Sequence, residues 1–65
     1  MTSPRDPFQL NEEAERANLA GDFDRAAQLF EEAAAYAYWP VGRVELLRKA
    51  LDAKKHALAA VRAHA

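Results

Sequence analysis

The most regular pattern of apolar and polar positions lies in the middle of the chain, between Phe23 and Ala37. Apolar residues recur there at the i, i+3, i+4, i+7 spacing of one face of an α-helix, and polar residues fill the opposite face. Leu29 and Tyr36 lie beside the apolar stripe and widen it. The pattern therefore predicts a central helix that packs against a neighbour on each side. The stripe consists of Phe23, Ala26, Ala27, Phe30, Ala33, Ala34 and Ala37, and the polar face of Asp24, Arg25, Gln28, Glu31 and Glu32.

Signals for the start and end of a first helix precede this stripe. Asp6 is a favourable N-cap residue and Pro7 suits the first helical position. Gly21 supplies the backbone freedom that a helix end needs, and Asp22 is placed to cap the second helix. Small residues on both helices favour a close antiparallel hairpin. The predicted bounds are residues 7–20 and 23–38.

A third helix is predicted over residues 43–63, after a corner at residues 38–42. The residue before a proline avoids helical geometry, and Gly42 loosens the chain again. A heptad-like apolar seam, interrupted at Lys54, is typical of a helix that packs in a bundle. One interpretation of Lys54 is that it lies at the edge of the seam, with its methylene chain packed and its ammonium group in water. The alternative is that the part of the seam beyond Leu51 faces a partner and not the core of the domain. The seam consists of Val44, Leu47, Leu51, Leu58 and Val61, and is flanked by Leu46, Ala50, Ala53, Ala57 and Ala60.

Composition limits the core that these helices can build. The chain has 65 residues, and 16 of its 33 apolar residues are alanine, so the buried area is modest and the stability marginal. No cysteine is present to form a disulfide. Residues 1–5 are predicted to form a flexible tail and residues 6–65 a single domain. The expected fold is all-α, a three-helix up-down-up antiparallel bundle.

The N-terminal residues lack the hydrophobic core of a signal peptide, and no apolar run is long enough to span a bilayer. No membrane insertion is therefore expected. The lack of cysteine fits a cytoplasmic protein.

Charge is divided unevenly along the chain. Residues 1–38 carry eight acidic residues and three arginines, whereas residues 39–65 carry two acidic residues and six basic ones. The simplest interpretation is attraction between an acidic hairpin and a basic last helix. A row of bases at heptad spacing on the third helix could also meet an acidic protein partner. Interleaved acids and the lack of aromatic residues among the bases argue against nucleic acid. The row consists of Arg48, Lys55 and Arg62.

Neither catalysis nor metal binding is expected. The chain lacks a cysteine nucleophile and a glycine-rich phosphate loop, and its only hydroxyl residues besides tyrosine are Thr2 and Ser3. Asp52 and His56 have i, i+4 spacing, but two ligands on an exposed helix face are more typical of a surface pair. No cofactor or small-molecule substrate is expected.

Two resemblances to known families follow from longer segments. GDFDRAAQLFEEA resembles the second helix of a tetratricopeptide repeat in its glycine, its two aromatic residues and its small residues. AERANLAGDFDRAAQLFEEAAAYA resembles the hairpin of helices 1 and 2 in MIT domains, the microtubule-interacting and trafficking modules, and VELLRKALDAKKHALAAV resembles their third helix. The MIT resemblance implies a three-helix bundle with a tetratricopeptide-like hairpin that binds short helical motifs, often between helices 2 and 3.

Two functions remain open from the sequence. The first is a small helical protein-protein interaction module, or adaptor, that binds an amphipathic and acidic helical segment in a groove between helices 2 and 3. The second is a structural small subunit that self-associates in a homo-oligomer or joins a larger complex. The candidate partner-binding residues are Leu29, Tyr36, Arg48, Leu51, Lys54, Lys55, Leu58 and Arg62.

Overall fold

The computed structural model describes residues 6–64 and contains three helices: α1 (Pro7–Leu19), α2 (Phe23–Tyr36) and α3 (Pro40–His64). Helix α2 packs against both α1 and α3, which confirms its predicted central position. The fold is an all-α three-helix bundle, as expected. The expected tail, residues 1–5, lies outside the described residues.

The connection between α1 and α2 follows the predicted signals closely. Asp6 caps α1, because its Oδ1 accepts a hydrogen bond of 3.0 Å from the backbone N–H of Phe8. At the other end, Gly21 has φ of 84° and donates its N–H to the carbonyl of Asn18, while the N–H of Asp22 reaches the carbonyl of Ala17. These two bonds form a Schellman motif, which requires a left-handed residue that glycine adopts without strain.

The prediction that the Asp22 side chain caps α2 is wrong. Asp22 is the N-cap residue, but its side chain makes no capping hydrogen bond. Its backbone carbonyl accepts from the N–H of Ala26 at 3.0 Å, as an N-cap carbonyl does. The Schellman motif already orients the chain at this turn, so α2 starts without a side-chain acceptor.

Helix α3 begins at Pro40, three residues earlier than predicted, and α2 ends at Tyr36, two residues earlier. Proline fits the first helical position because its missing N–H would have no helical partner there. The carbonyl of Trp39 accepts from the N–H of Arg43 at 3.0 Å, which closes the first turn. The expected corner at residues 38–42 is therefore a shorter connection, and Gly42 lies inside the helix.

The core is built mainly from alanine. Leu10 and Phe30 are the largest fully buried side chains, and small residues from all three helices pack around them. Because alanine projects little from the backbone, the helices can approach closely. The remaining core residues are Ala14, Ala17, Ala26, Ala27, Leu29, Ala33, Ala34, Ala50 and Ala53.

The apolar seam of α3 does not form the packed face, contrary to the expectation that it packs in the bundle. Helix α3 packs through Ala50 and Ala53, with Leu46 partly buried against the core. The seam residues are 48 to 68% exposed. Phe30 fills the space between the helices, so the small residues of α3 complement it better than a row of leucines, which would overfill the core. The predicted flanking row is thus the packed row.

Lys49 links α3 to α1 at the edge of the core, where its side chain is partly exposed. Its Nζ lies 3.0 Å from Oε1 of Glu15 and 3.3 Å from Oδ1 of Asn11, both on α1. The same Nζ lies 5.7 Å from the centroid of the Phe30 ring, within cation–π range. This one side chain ties all three helices together.

Trp39, which precedes Pro40 in the connection between α2 and α3, does not rest against the bundle, because it is 77% exposed. Its fluorescence should therefore lie near the emission wavelength of a free tryptophan derivative in water and move little when urea unfolds the domain. A strong red shift on unfolding would contradict this exposed position.

Candidate protein-docking face

The surface of α3 turned away from the hairpin carries a row of large apolar side chains that is interrupted once, at Lys54. We call this row the α3 apolar face. Large apolar side chains that are exposed together along one side of a helix are typical of a surface that binds another molecule. The face consists of Val44, Leu47, Leu51, Leu58 and Val61, which are 64, 48, 53, 61 and 68% exposed.

The α3 apolar face has the spacing that one helix uses to pack on another. Its residues occur at alternating intervals of three and four, the a and d positions of a heptad, with Lys54 at one d position. From Val44 to Val61 this row is about 26 Å long at 1.5 Å per residue. The face is therefore long and regular enough to accept several turns of a second helix.

One border of the face is basic. Arg48, Lys55 and Arg62 occupy the successive e positions beside the apolar row, and all three are exposed. Arg48 lies 4.0 Å from Glu45 one turn earlier, a contact of little energetic weight at the surface. Within residues 6–64, neither Lys55 nor Arg62 has an ion-pair partner. Two of the three bases are thus available to a ligand.

The other border is formed by α2 and is acidic. Lys54 forms an ion pair with Glu31 of α2, so this edge of the apolar row lies next to Glu31. Asp24 is seven residues before Glu31 and shares its side of α2, because seven residues make almost two full turns. Asp24 is also exposed. The α3 apolar face therefore runs between a basic row and an acidic wall.

The structure brings six of the eight predicted partner-binding residues together on α3. Leu51 and Leu58 belong to the apolar face and Lys54 interrupts it. Arg48, Lys55 and Arg62 form its basic border.

The other two predicted residues, Leu29 and Tyr36, lie elsewhere. Leu29 is only 5% exposed and belongs to the core, so a docked helix could not reach it. Tyr36 is 44% exposed and shares the side of α2 that Leu29 occupies. Leu29 is two residues from Glu31, a rotation of about 200° around the helix, so this side points away from the α3 apolar face.

Val44, Leu47 and Val61 also belong to the face, although the sequence suggested that they pack internally. The sequence contains a feature that could have predicted the exposure of these three residues. Helix α3 has a second apolar stripe at helical spacing, made of Leu46, Ala50, Ala53, Ala57 and Ala60. A helix with two stripes can bury only one of them against a single hairpin.

A second concave surface lies near the start of α1 and α3. It encloses about 430 Å³ and is lined by three exposed aromatic residues, with Leu46 beneath them. Its two charged neighbours are already engaged, since Asp6 caps α1 and Lys49 binds Glu15. The pocket therefore offers an apolar recess without a free charged group. The aromatic residues are Phe8, Tyr38 and Trp39.

Other side chains considered for chemistry have structural surroundings. The ring of His56 lies 5.3 Å from the ring of Phe23 and helps to join α3 to the start of α2. Across residues 6–64, no cluster of three or more potential metal-ligating side chains is present. In the same range, no helix combines enough length and hydropathy to cross a bilayer.

Comparison with protein-family models, curated proteins and solved structures gives no significant match.

Proposed function

We propose that this protein is a small helical interaction module, an adaptor that docks an amphipathic helix on the α3 apolar face. The observation that carries the proposal is that α3 packs on its own hairpin through alanine, while its large apolar residues point into solvent. The spacing of the exposed row is that of a helix-packing seam. The resemblance to MIT domains favours the same kind of ligand. The lack of cysteine favours a cytoplasmic setting for this activity.

Burial of the face supplies the driving force for docking. Covering a fully exposed Leu or Val side chain is worth about 1.5 to 3 kcal/mol, and the five side chains of the face are 48 to 68% exposed, so each contributes about half of that value. Association costs about 4 to 15 kcal/mol in lost freedom of motion, so a row of this size is needed to produce measurable affinity. A helix that covers only one turn of the face should bind poorly.

The proposal can be tested with a synthetic amphipathic helical peptide of three heptads. The peptide has leucine at positions a and d and both glutamate and lysine at the flanking positions. Binding of the labelled peptide to the full chain should be detectable by fluorescence anisotropy. Leu51→Gln should weaken binding about 4- to 15-fold, because docking covers the exposed half of this leucine, which is worth about 0.8 to 1.6 kcal/mol.

Leu19→Gln is the matched control, since Leu19 is 88% exposed at the end of α1, away from the face. This variant should bind the peptide as the wild type does. A peptide of the same composition in scrambled order controls for nonspecific hydrophobic contact. Equal binding by the two glutamine variants, or equal binding of the ordered and scrambled peptides, would remove the α3 apolar face as the docking site.

A further inference from the structure

The two borders of the α3 apolar face have opposite charge, and this restricts what can cover it. A purely acidic helix would suit the basic row of α3 but would meet repulsion from Asp24 and Glu31 on α2. A purely basic helix has the reverse difficulty. A good ligand must therefore be acidic along one edge and basic along the other.

A second copy of this chain meets that requirement. Its own face has a basic row along one edge and an acidic wall along the other. We propose that the helix docked on the α3 apolar face is α3 of a second copy, parallel and in register, and this proposal rests on the docking function above. The result is a two-fold symmetric dimer in which both copies use the same surface.

The charges select the parallel orientation. In a parallel pair of helices, the e row of one helix lies beside the g side of the other. Ala50, at a g position, packs in the core and Lys54 reaches Glu31, so the g side of α3 is the side that carries α2. The basic row of each copy therefore faces the acidic wall of the other. In an antiparallel pair the e rows face each other, and like charges meet on both sides.

The levels of the charged residues also match in register. Helices α2 and α3 run antiparallel, and the ring of Phe23 lies against His56 while that of Phe30 lies near Lys49. These two contacts place Asp24 near the level of Lys55 and Glu31, seven residues later, near the level of Arg48. In a parallel dimer, Arg48 of the second copy comes level with Glu31, and Lys55 of the second copy comes level with Asp24. Two ion pairs between copies form on each side of the dimer.

Lys54 is the one polar layer in this seam. A single polar residue at a core position of a coiled coil fixes the register at a cost in stability. Glu31 of the same chain holds the Lys54 ammonium at the α2 edge, which keeps it away from the symmetric lysine. A shift by one heptad would set Lys54 against an apolar residue and leave other apolar residues uncovered, so the in-register pairing is favoured.

The end of α3 gives a second reason for a partner helix. His56 lies against Phe23, the first residue of α2, and α3 continues for eight more residues, or about 12 Å. Leu58 and Val61 lie in this extension. A short helical segment has little stability in water without tertiary packing. Pairing with the same segment of a second copy covers both residues.

The first test is the oligomeric state of the full chain by sedimentation over a range from 1 to several hundred micromolar. The wild type should change from monomer to dimer with rising concentration, and Leu58→Glu should raise the dimer dissociation constant at least tenfold. Ala63→Glu is the matched control, because it adds the same charge near the same end of α3 at an exposed position outside the face, and no base lies three or four residues before it. It should retain the dimer, and circular dichroism should show all three proteins helical.

Orientation is tested by cross-linking, which is clean because the natural chain contains no cysteine. Leu58→Cys and Val44→Cys, made separately, should each form a disulfide-linked dimer under mild oxidation, since equal positions face each other only in the parallel arrangement. Ala59→Cys should cross-link much less. Efficient cross-linking of a mixture of the Leu58 and Val44 variants to each other, without self-linking, would overturn the parallel dimer.

The ion pairs are tested by charge reversal at Asp24 and Lys55. Asp24→Lys and Lys55→Glu should each weaken the dimer severalfold, and the double variant should recover most of the loss. Neither residue has an ion-pair partner within residues 6–64, so the cycle reports the contact between copies. Failure of the double variant to recover would overturn the proposed pairing.

A wild type that stays monomeric throughout would overturn the dimer. That result is distinguishable from failure of the docking function, because the designed peptide tests the face with a different helix.

Discussion

Replacing Phe30 with alanine should abolish cooperative folding of this domain, or nearly so. Phe30 is 2% exposed and is one of two large side chains that are fully buried. Removal of a buried phenylalanine costs about 3 to 5 kcal/mol through lost transfer energy and the cavity left behind. A chain of 65 residues has a total stability of about 3 to 10 kcal/mol. The loss is therefore comparable with the whole free energy of folding.

The loss should be near the upper end of this range for two reasons. The neighbours of Phe30 are mostly alanines, which have no rotatable side chain that could turn into the cavity. The ring also lies under the ammonium group of Lys49, a contact worth about 0.5 to 1 kcal/mol. Urea unfolding followed by circular dichroism at one fixed protein concentration measures the change, since dimerisation would add to the apparent stability.

Phe8→Ala is the matched control for this prediction. Phe8 is 80% exposed, so the same change of side chain should alter the free energy of unfolding by about 0.5 kcal/mol or less. Equal losses for the two variants would show that Phe30 does not support the core in the way its burial indicates.

The helical hairpin could be predicted in detail because its signals are local. Asp6 and Pro7 mark the start of α1, and Gly21 marks its end, through backbone properties that depend on few neighbours. Helix α2 has a single apolar stripe, so the face that it buries follows directly from the sequence. Asp22 shows the limit of this reasoning, because a residue type suited to capping does not have to use its side chain when the backbone already closes the turn.

The packed face of α3 could not be chosen from the pattern alone. The helix has a row of large apolar residues and a row of small ones, and both have helical periodicity. Burial of the larger row would remove more apolar area from water, which favours that interpretation from the sequence. The smaller row is buried instead, because little volume is available beside Phe30. That volume depends on how all three helices pack together, which the pattern of a single helix does not give.

The basic border of the candidate site was predictable from the sequence, whereas the position of α2 beside the site was not. Arg48, Lys55 and Arg62 lie on one helix at intervals of seven, so their common border follows from helix geometry alone. The relation between α2 and the site depends on the rotation of α2 about its axis. Glu31 and Leu29 are two residues apart, yet one borders the α3 apolar face and the other is buried in the core.

Close helix packing makes a second strong prediction, for Ala33→Leu in α2. Ala33 is completely buried, and the enlarged side chain would need space that the neighbouring helix already fills. Overpacking of this kind costs about 1 to 3 kcal/mol. Ala35→Leu is the matched control, because Ala35 is exposed on the same helix and leucine has nearly the helix propensity of alanine. It should change stability by about 0.5 kcal/mol or less.

The difference between these two variants isolates the packing contribution, since chain position and substitution are otherwise alike. Ala26→Leu provides an independent repeat, because Ala26 is also completely buried on α2. Urea midpoints should fall for Ala33→Leu and Ala26→Leu and stay near the wild-type value for Ala35→Leu. If both buried sites accept leucine without loss, the helices are not held at the close distance that alanine permits. The large residues of α3 could then enter the core, and the α3 apolar face would no longer be the surface left for a partner.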